Sequence, residues 1–184
     1  MAQVEREAFL PESQRALAYR DRSLPLGRGR AQNPPLATGL LLTEAGIRPG
    51  DAVLVIGAAG GYTAAVAARL AARVVAVEAD GALASAARAA LGDSVTVVEA
   101  PLAEGAPADA PYDVLIVDGA VEVLPDVLVQ QVRPGGRIVT GLVESGVTRL
   151  ASGIRTEAGF GLSAFADSEC AILPGFEKPR GFRF

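Results

Sequence analysis

The 184 residues carry 17 Lys+Arg against 21 Asp+Glu, a net charge of −4, with half of the side chains apolar and no histidine. The acidic balance argues against a nucleic-acid backbone as partner, because phosphate binding needs clustered cations. A single cysteine and the missing histidine exclude His/Cys zinc sites, Ser-His-Asp and Cys-His catalysis and structural disulfides.

Residues 1–35 hold Pro11, Pro25, Pro34 and Pro35 with Gly27 and Gly29, a density of breakers that predicts an irregular, lid-like arm over a core. Around Glu5-Arg6-Glu7 there is no signal-peptide core, and Arg69 and Arg73 interrupt the longest apolar candidate for a membrane helix. The plain reading is a cytoplasmic protein with no membrane partner. A helix is expected from Leu36 to Ala45, stopped by Gly46 and Pro49.

From Val53 onward the pattern alternates. Apolar runs near 53–57, 73–78, 95–98, 113–118 and 137–141 read as strands, with helices near 61–71, 80–91 and 122–132. Runs of Val and Ile without polar interruption suit strands covered on both faces, so the fold class is α/β with a doubly wound, mostly parallel sheet. Val147–Ile154 and 161–173, joined by a polar turn at 156–159, predict a C-terminal antiparallel hairpin. The whole reads as one domain over 1–184, a cofactor-binding sandwich (36–184) preceded by the arm (1–35). The stripes Leu36/Leu40/Ile47 and Val66/Leu70 are expected in the core, and Cys170, within an apolar run, as a buried, inert thiol.

The most informative stretch is Val53-Leu54-Val55-Ile56 running into Gly57-Ala58-Ala59-Gly60-Gly61. A helical segment and a second apolar run follow, and that run ends on Glu78, 21 residues after Gly57. A strand, a glycine turn, a helix and an acid at the end of the next strand is the arrangement that grips the ribose of a nucleotide-type cofactor. An ordinary solvated strand end is the competing reading of Glu78. The nicotinamide fingerprint fits poorly, since Ala59 and Tyr62 stand at its second and third glycines.

Val4-Glu5-Arg6-Glu7-Ala8-Phe9-Leu10-Pro11, Ala18-Tyr19-Arg20-Asp21, Leu24-Pro25-Leu26-Gly27, Ala110-Pro111-Tyr112-Asp113 and 128–137 with Pro134-Gly135-Gly136-Arg137 resemble, in this order, segments of the protein-L-isoaspartate O-methyltransferases. The resemblance runs from Val4 to Gly141. It implies a class I methyltransferase fold, S-adenosylmethionine as cofactor and isoaspartyl proteins or peptides as substrates. It places the methionine part on Gly57, Ala58, Ala59, Gly60 and Gly61, the ribose hydroxyls on Glu78 and the substrate on the loop 28–35. The family's active-site serine falls on Asn33, expected to orient the attacking carboxylate. A carboxylate is ionised at neutral pH, so such chemistry needs no general base and suits a chain without histidine.

The sequence departs from the family pattern at four places. Val55 stands where the family has an acid, Ala59 replaces the middle glycine, Ala100-Pro101-Leu102 replaces a Gly-Asp-Gly, and 27–35 reads Gly-Arg-Gly-Arg-Ala-Gln-Asn-Pro-Pro. Arg28 and Arg30 read as a solvated loop pair or as attractors of an anionic substrate, and Asp118 as a polar strand end or as the border of the site. The family's further N-terminal helix has no counterpart before Val4, which leaves open a short chain or the interior of a longer one. The departures favour a second class of answer, a non-catalytic relative that keeps the fold for binding. A small-molecule methyltransferase and a nicotinamide oxidoreductase are the remaining readings.

Overall fold

The computed structural model describes residues 3–178. Residues 1–2 and 179–184, included in the single-domain expectation, lie outside the described residues. The arm is more regular than its prolines suggest. A 3-10 turn (Arg6–Phe9) leads to a one-turn helix α1 (Glu12–Arg15) and an antiparallel hairpin of β1 (Leu24–Gly27) and β2 (Arg30–Gln32). Three successive left-handed residues, Gly27, Arg28 and Gly29, make its tip. Helix α2 (Pro35–Ala45) starts on a proline, whose missing N–H is no loss at a helix start, and ends at Gly46 in the left-handed conformation.

Seven strands follow: β3 (Ala52–Ile56), β4 (Arg73–Glu78), β5 (Thr96–Glu99), β6 (Tyr112–Val121), β7 (Val132–Glu144), β8 (Val147–Ile154) and β9 (Ser163–Asp167). They form one sheet in the order β5-β4-β3-β6-β7-β8-β9. The first five are parallel, and β8 and β9 join antiparallel, as expected from the sequence. Helices α3 (Tyr62–Ala67), α4 (Gly81–Leu91) and α5 (Asp126–Gln130) occupy the connections.

Alternation along each strand divides the core in two. Val53, Val55, Ala76, Val114 and Ile116 face Leu41 and Ala45 of α2, Ala64 and Ala67 of α3, and Ala87 and Leu91 of α4. Leu54, Ile56, Val75, Val77, Leu115 and Val117 pack with Leu128 and Val129 of α5 and with Leu173 and Phe176. Each fully buried Val, Leu or Ile contributes about 1.5–3 kcal/mol relative to exposure, and this two-sided burial is why the strands are apolar throughout.

Three expectations are corrected. Leu36 is 54% exposed and Leu70 43% exposed, so neither belongs to the core. The inward face of α2 is Ala37, Thr38, Leu41, Leu42 and Ala45, one position on from the expected stripe. Helix α3 ends at Ala67, because the amides of Arg69 and Leu70 bond three residues back and tighten the last turn. Helix α5 spans only five residues, held between Pro125 and Val132, where β7 already begins.

Candidate active site

The chain runs outward from β3 to β4 and β5, then returns to place β6 on the other side of β3. A crevice forms at such a switch point, outside the carboxyl ends of the strands, and it is where ligands bind in open α/β sheets. The turn after β3 lies there. Gly57, Ala59 and Gly61 all have positive φ, at 79°, 50° and 101°. The amides of Gly57 and Ala58 both donate to the Val77 carbonyl at 3.0 Å, which pins the turn to the end of β4.

Glu78 ends β4 fully buried, not as a solvated strand terminus. Its Oε2 accepts from the Ala59 amide at 2.7 Å and from Arg30 Nη2 at 2.8 Å. Its Oε1 accepts from Arg30 Nε at 3.1 Å and from the amides of Ala79 and Asp80 at 3.0 and 3.1 Å. These five donors use the roughly four lone-pair sites of a carboxylate in full. Arg30 is 4% exposed, so the expectation of a solvated Arg28/Arg30 pair fails for Arg30: β2 turns its side chain inward, where Glu78 supplies the charge that lets it be buried. Arg28 stays outside, 3.4 Å from Asp80. Asp80 caps α4 by accepting from the amides of Ala82 and Leu83, and the Leu83 hydrogen bond leads in holding its carboxyl below the usual range.

Asn33 is buried in a second cluster beside the first. Its Nδ2 donates to Asp118 Oδ1 at 2.8 Å, and its Oδ1 accepts from the Ala171 amide at 2.8 Å. Arg6 is wholly buried and donates through Nη2 to the Asn33 carbonyl and through Nε to the Ala18 carbonyl at 2.8 Å. The Arg6 guanidinium lies 4.8 Å from the Tyr62 ring centroid, and Phe9 meets the same ring edge-on at 5.8 Å. Burial pushes the Asp118 carboxyl up, opposed by hydrogen bonds from Thr63 and Asn33 and by the charges of Arg6 and Arg30. Asp118 is thus a buried member of the Asn33 cluster and not a solvated strand end.

The C-terminal stretch completes the cover. Leaving β9, the chain returns to the end of β6, where the Ala120 amide donates to the Ala171 carbonyl at 2.7 Å and the Leu173 amide to the Ala120 carbonyl at 2.9 Å. A methyl group built on Gly57 would stand 3.0 Å from a Leu173 methyl and 3.3 Å from Arg30 Nη2. On Gly60 it would stand 2.2 Å from the Phe9 carbonyl oxygen. Protein atoms thus fill the space directly over the turn. A groove of about 480 Å³ between the arm and α4, lined by Phe9, Leu10, Leu26, Gly60, Leu83 and Ala86, touches the turn at Gly60 but not Glu78.

The structure brings Gly57–Gly61, Glu78 and Asn33 to one end of the sheet. Sequence reasoning missed Arg6, Thr63, Leu173 and the pairing of Arg30 with Glu78. Leu173 gave no signal beyond its apolar run, Arg6 lay in the Val4–Pro11 segment that carried the resemblance but had no role assigned, and Arg30 sat in the flagged loop and lacked only a partner. Cys170 is 6% exposed, and burial pushes its thiol up to about 12, which keeps it inert.

Residues 1–158 match the family model described as protein-L-isoaspartate(D-aspartate) O-methyltransferase (PCMT). The chain belongs to this family. It is 42% identical over 142 residues to the protein-L-isoaspartate O-methyltransferase of Methylorubrum populi, covering 76% of this chain and 67% of that one. It is 43% identical over 143 residues to protein-L-isoaspartate O-methyltransferase 1 of Rhodopseudomonas palustris, covering 76% of this chain and 58% of that one. The chain thus spans about six-tenths to two-thirds of the length of these family members. Among solved structures, a protein-L-isoaspartate O-methyltransferase superposes with a TM-score of 0.83 at 23% identity, over 94% of this chain and 59% of that one. A Plasmodium falciparum structure of the same class, in complex with S-adenosyl-L-homocysteine, superposes at 0.75 and 16% identity, over 94% and 87%. These likenesses bear out the class I methyltransferase fold.

Proposed function

We propose that the chain is an S-adenosylmethionine-dependent carboxyl O-methyltransferase acting on isoaspartyl residues of proteins and peptides, as its family relatives are named. The observation that carries this reading is the pairing of the Gly57–Gly61 turn with Glu78 at the switch point of the sheet, in a chain whose first 158 residues match the family model. In this reading Gly57, Ala58, Ala59, Gly60 and Gly61 hold the methionine part and Glu78 the ribose hydroxyls. Asn33, beside Asp118, presents an amide donor to the substrate carboxylate. Residues 1–35 act as a lid-like arm and 36–184 as the cofactor-binding sandwich of one domain. No helix among the described residues is long and apolar enough to cross a membrane, and we place the activity in the cytoplasm.

In the conformation described, these residues do not admit the cofactor. Glu78 has no free lone pair, Leu173 and Arg30 fill the space over Gly57, and both ends of the Asn33 amide are engaged. The same observation favours a second reading, a relative that keeps the fold for binding without catalysis. Buried Val55 and the acid-free Ala100-Pro101-Leu102 segment, whose Leu102 packs into the core, point the same way. Transfer of labelled methyl groups from S-adenosylmethionine to an isoaspartyl peptide, with the matching aspartyl peptide as control, tests the first reading. Transfer confined to the isoaspartyl peptide supports it, and none in a demonstrably folded protein overturns it.

A further inference from the structure

Both polar groups assigned to the active site are satisfied by the chain itself, and through the same element. Arg30 and Asn33 are three residues apart, the first opening β2 directly after the tip and paired with Gly27, the second just past the end of β2. One covers Glu78 and the other bridges Asp118 to the C-terminal stretch. Building on the cofactor reading above, we infer that Arg30 is an internal occupant of the nucleoside site: its guanidinium and a cofactor ribose compete for the Glu78 carboxylate, so the hairpin must swing away before the cofactor binds.

Arg30 is a strong competitor. It approaches Glu78 with two nitrogens, one on each carboxylate oxygen, in the planar fork geometry that makes arginine–carboxylate pairs the strongest of their kind. A ribose offers only neutral hydroxyls to the same oxygens.

The closed state is nonetheless incompletely satisfied. Arg30 Nη1 and both amide atoms of Gln32, which alternation puts on the same face of β2, are buried without a hydrogen-bond partner among the described residues. Such orphaned groups destabilise the state that buries them. Apart from the adjoining Arg30–Glu78 pair the hairpin tip has little to hold it, since Arg28 is left-handed at φ 50° and its contact with Asp80 is long and exposed. One buried ion pair beside an otherwise loosely held tip, with three orphaned polar atoms along β2, describes an element with two positions, the outer of which uncovers Glu78.

The test is a calorimetric titration of S-adenosylhomocysteine into the full chain, as wild type, Arg30→Gln and Arg30→Lys. Hydrogen exchange over residues 24–33 is followed with and without the ligand. The expected result is at least tenfold tighter binding by Arg30→Gln, a smaller gain for Arg30→Lys, and faster exchange of the wild-type hairpin once ligand is bound. Equal or weaker binding by the variants, or hairpin exchange that slows in the complex, overturns the inference. So does a failure of all three folded proteins to bind at millimolar ligand, an outcome that removes the cofactor reading as well. Should Arg30→Gln fail to fold, Arg30→Lys and the wild-type exchange decide. A variant that binds tightly yet never methylates an isoaspartyl peptide leaves the inference standing and removes only the activity. A wild type that methylates, with a variant that binds more weakly, does the reverse.

Discussion

Arg30 reaches from the second strand of the N-terminal hairpin to both carboxylate oxygens of Glu78, at 3.1 and 2.8 Å, with 3% and none of the two side chains left to solvent. Removing one member of a buried ion pair leaves the other charged and unpaired, at a cost of about 3–5 kcal/mol. Glu78→Gln is therefore expected to lower the free energy of unfolding by that amount in urea titrations. The double variant Glu78→Gln/Arg30→Met, which removes both charges, is expected to regain at least half of the loss. A single variant within 1 kcal/mol of wild type (a threshold set by the roughly 0–1 kcal/mol of exposed pairs) would show that the pair is solvated in solution.

The Asn33 amide satisfies an acceptor on Asp118 and the backbone donor of Ala171 at once. Asn33→Ala strands both, at about 1–3 kcal/mol for each buried group left unpaired. The expected signature is a lower denaturation midpoint together with faster hydrogen exchange around Ala171. Unchanged exchange there would mean that the bridge does not hold the C-terminal stretch in place.

Asp118 makes stability depend on pH in a defined direction. Burial raises its folded-state pKa above the unfolded value of about 3.9. The folded protein therefore keeps a proton that the unfolded chain has released, and the stability this supplies is complete below about pH 3.9. It falls as pH rises toward the folded-state value. Asp118→Asn keeps an oxygen for Asn33 and carries no charge. Its stability relative to wild type is expected to climb with pH from about 4 and then level off, as read from urea midpoints across pH 4–8. A flat difference would contradict the raised pKa.

Gly60 has no positive φ, so alanine suits its backbone, but the added methyl would stand 2.2 Å from the Phe9 carbonyl oxygen. Gly60→Ala is expected to cost about 1–3 kcal/mol and to act on the arm, not on the sheet. Limited proteolysis is expected to cut the variant within residues 3–20 well before wild type, leaving a resistant core. Equal cleavage of the two proteins would show that the arm does not rest on the turn.

The Cys170 thiol, buried and pushed up to about 12, is expected to resist a thiol reagent at pH 8 in the native protein and to react fully in denaturant. Ready native labelling would place the C-terminal stretch away from the end of β6.

The sheet was legible in the sequence because its strands are two-sided and apolar, and period and composition agree from Val53 to Gly141. The stripes failed at Leu36, in the first turn of α2, and at Leu70, which lies past the end of α3 in the tightened turn, positions where helical periodicity does not fix which way a side chain points. The turn and Glu78 could be placed from spacing alone. What fills the crevice could not, because Arg30, Asn33 and Leu173 reach it from segments far from it in the chain. Arg30 illustrates the difficulty: a loop arginine is solvated unless a buried acid waits for it, and nothing local to residue 30 reveals that Glu78 does.

The Asn33–Ala171 hydrogen bond joins residues 138 positions apart, and this fixes an order of events during synthesis. Strands β3 to β6 leave the ribosome well before Ala171 has been made, and at about 5–20 residues per second the interval lasts several seconds. A nascent chain whose central strands have paired carries an uncovered crevice, with the arm tethered at one side only. The stretch around Ala171 closes it once it emerges, so the newborn protein passes once through an open form that the folded molecule revisits only by undoing this long-range tie.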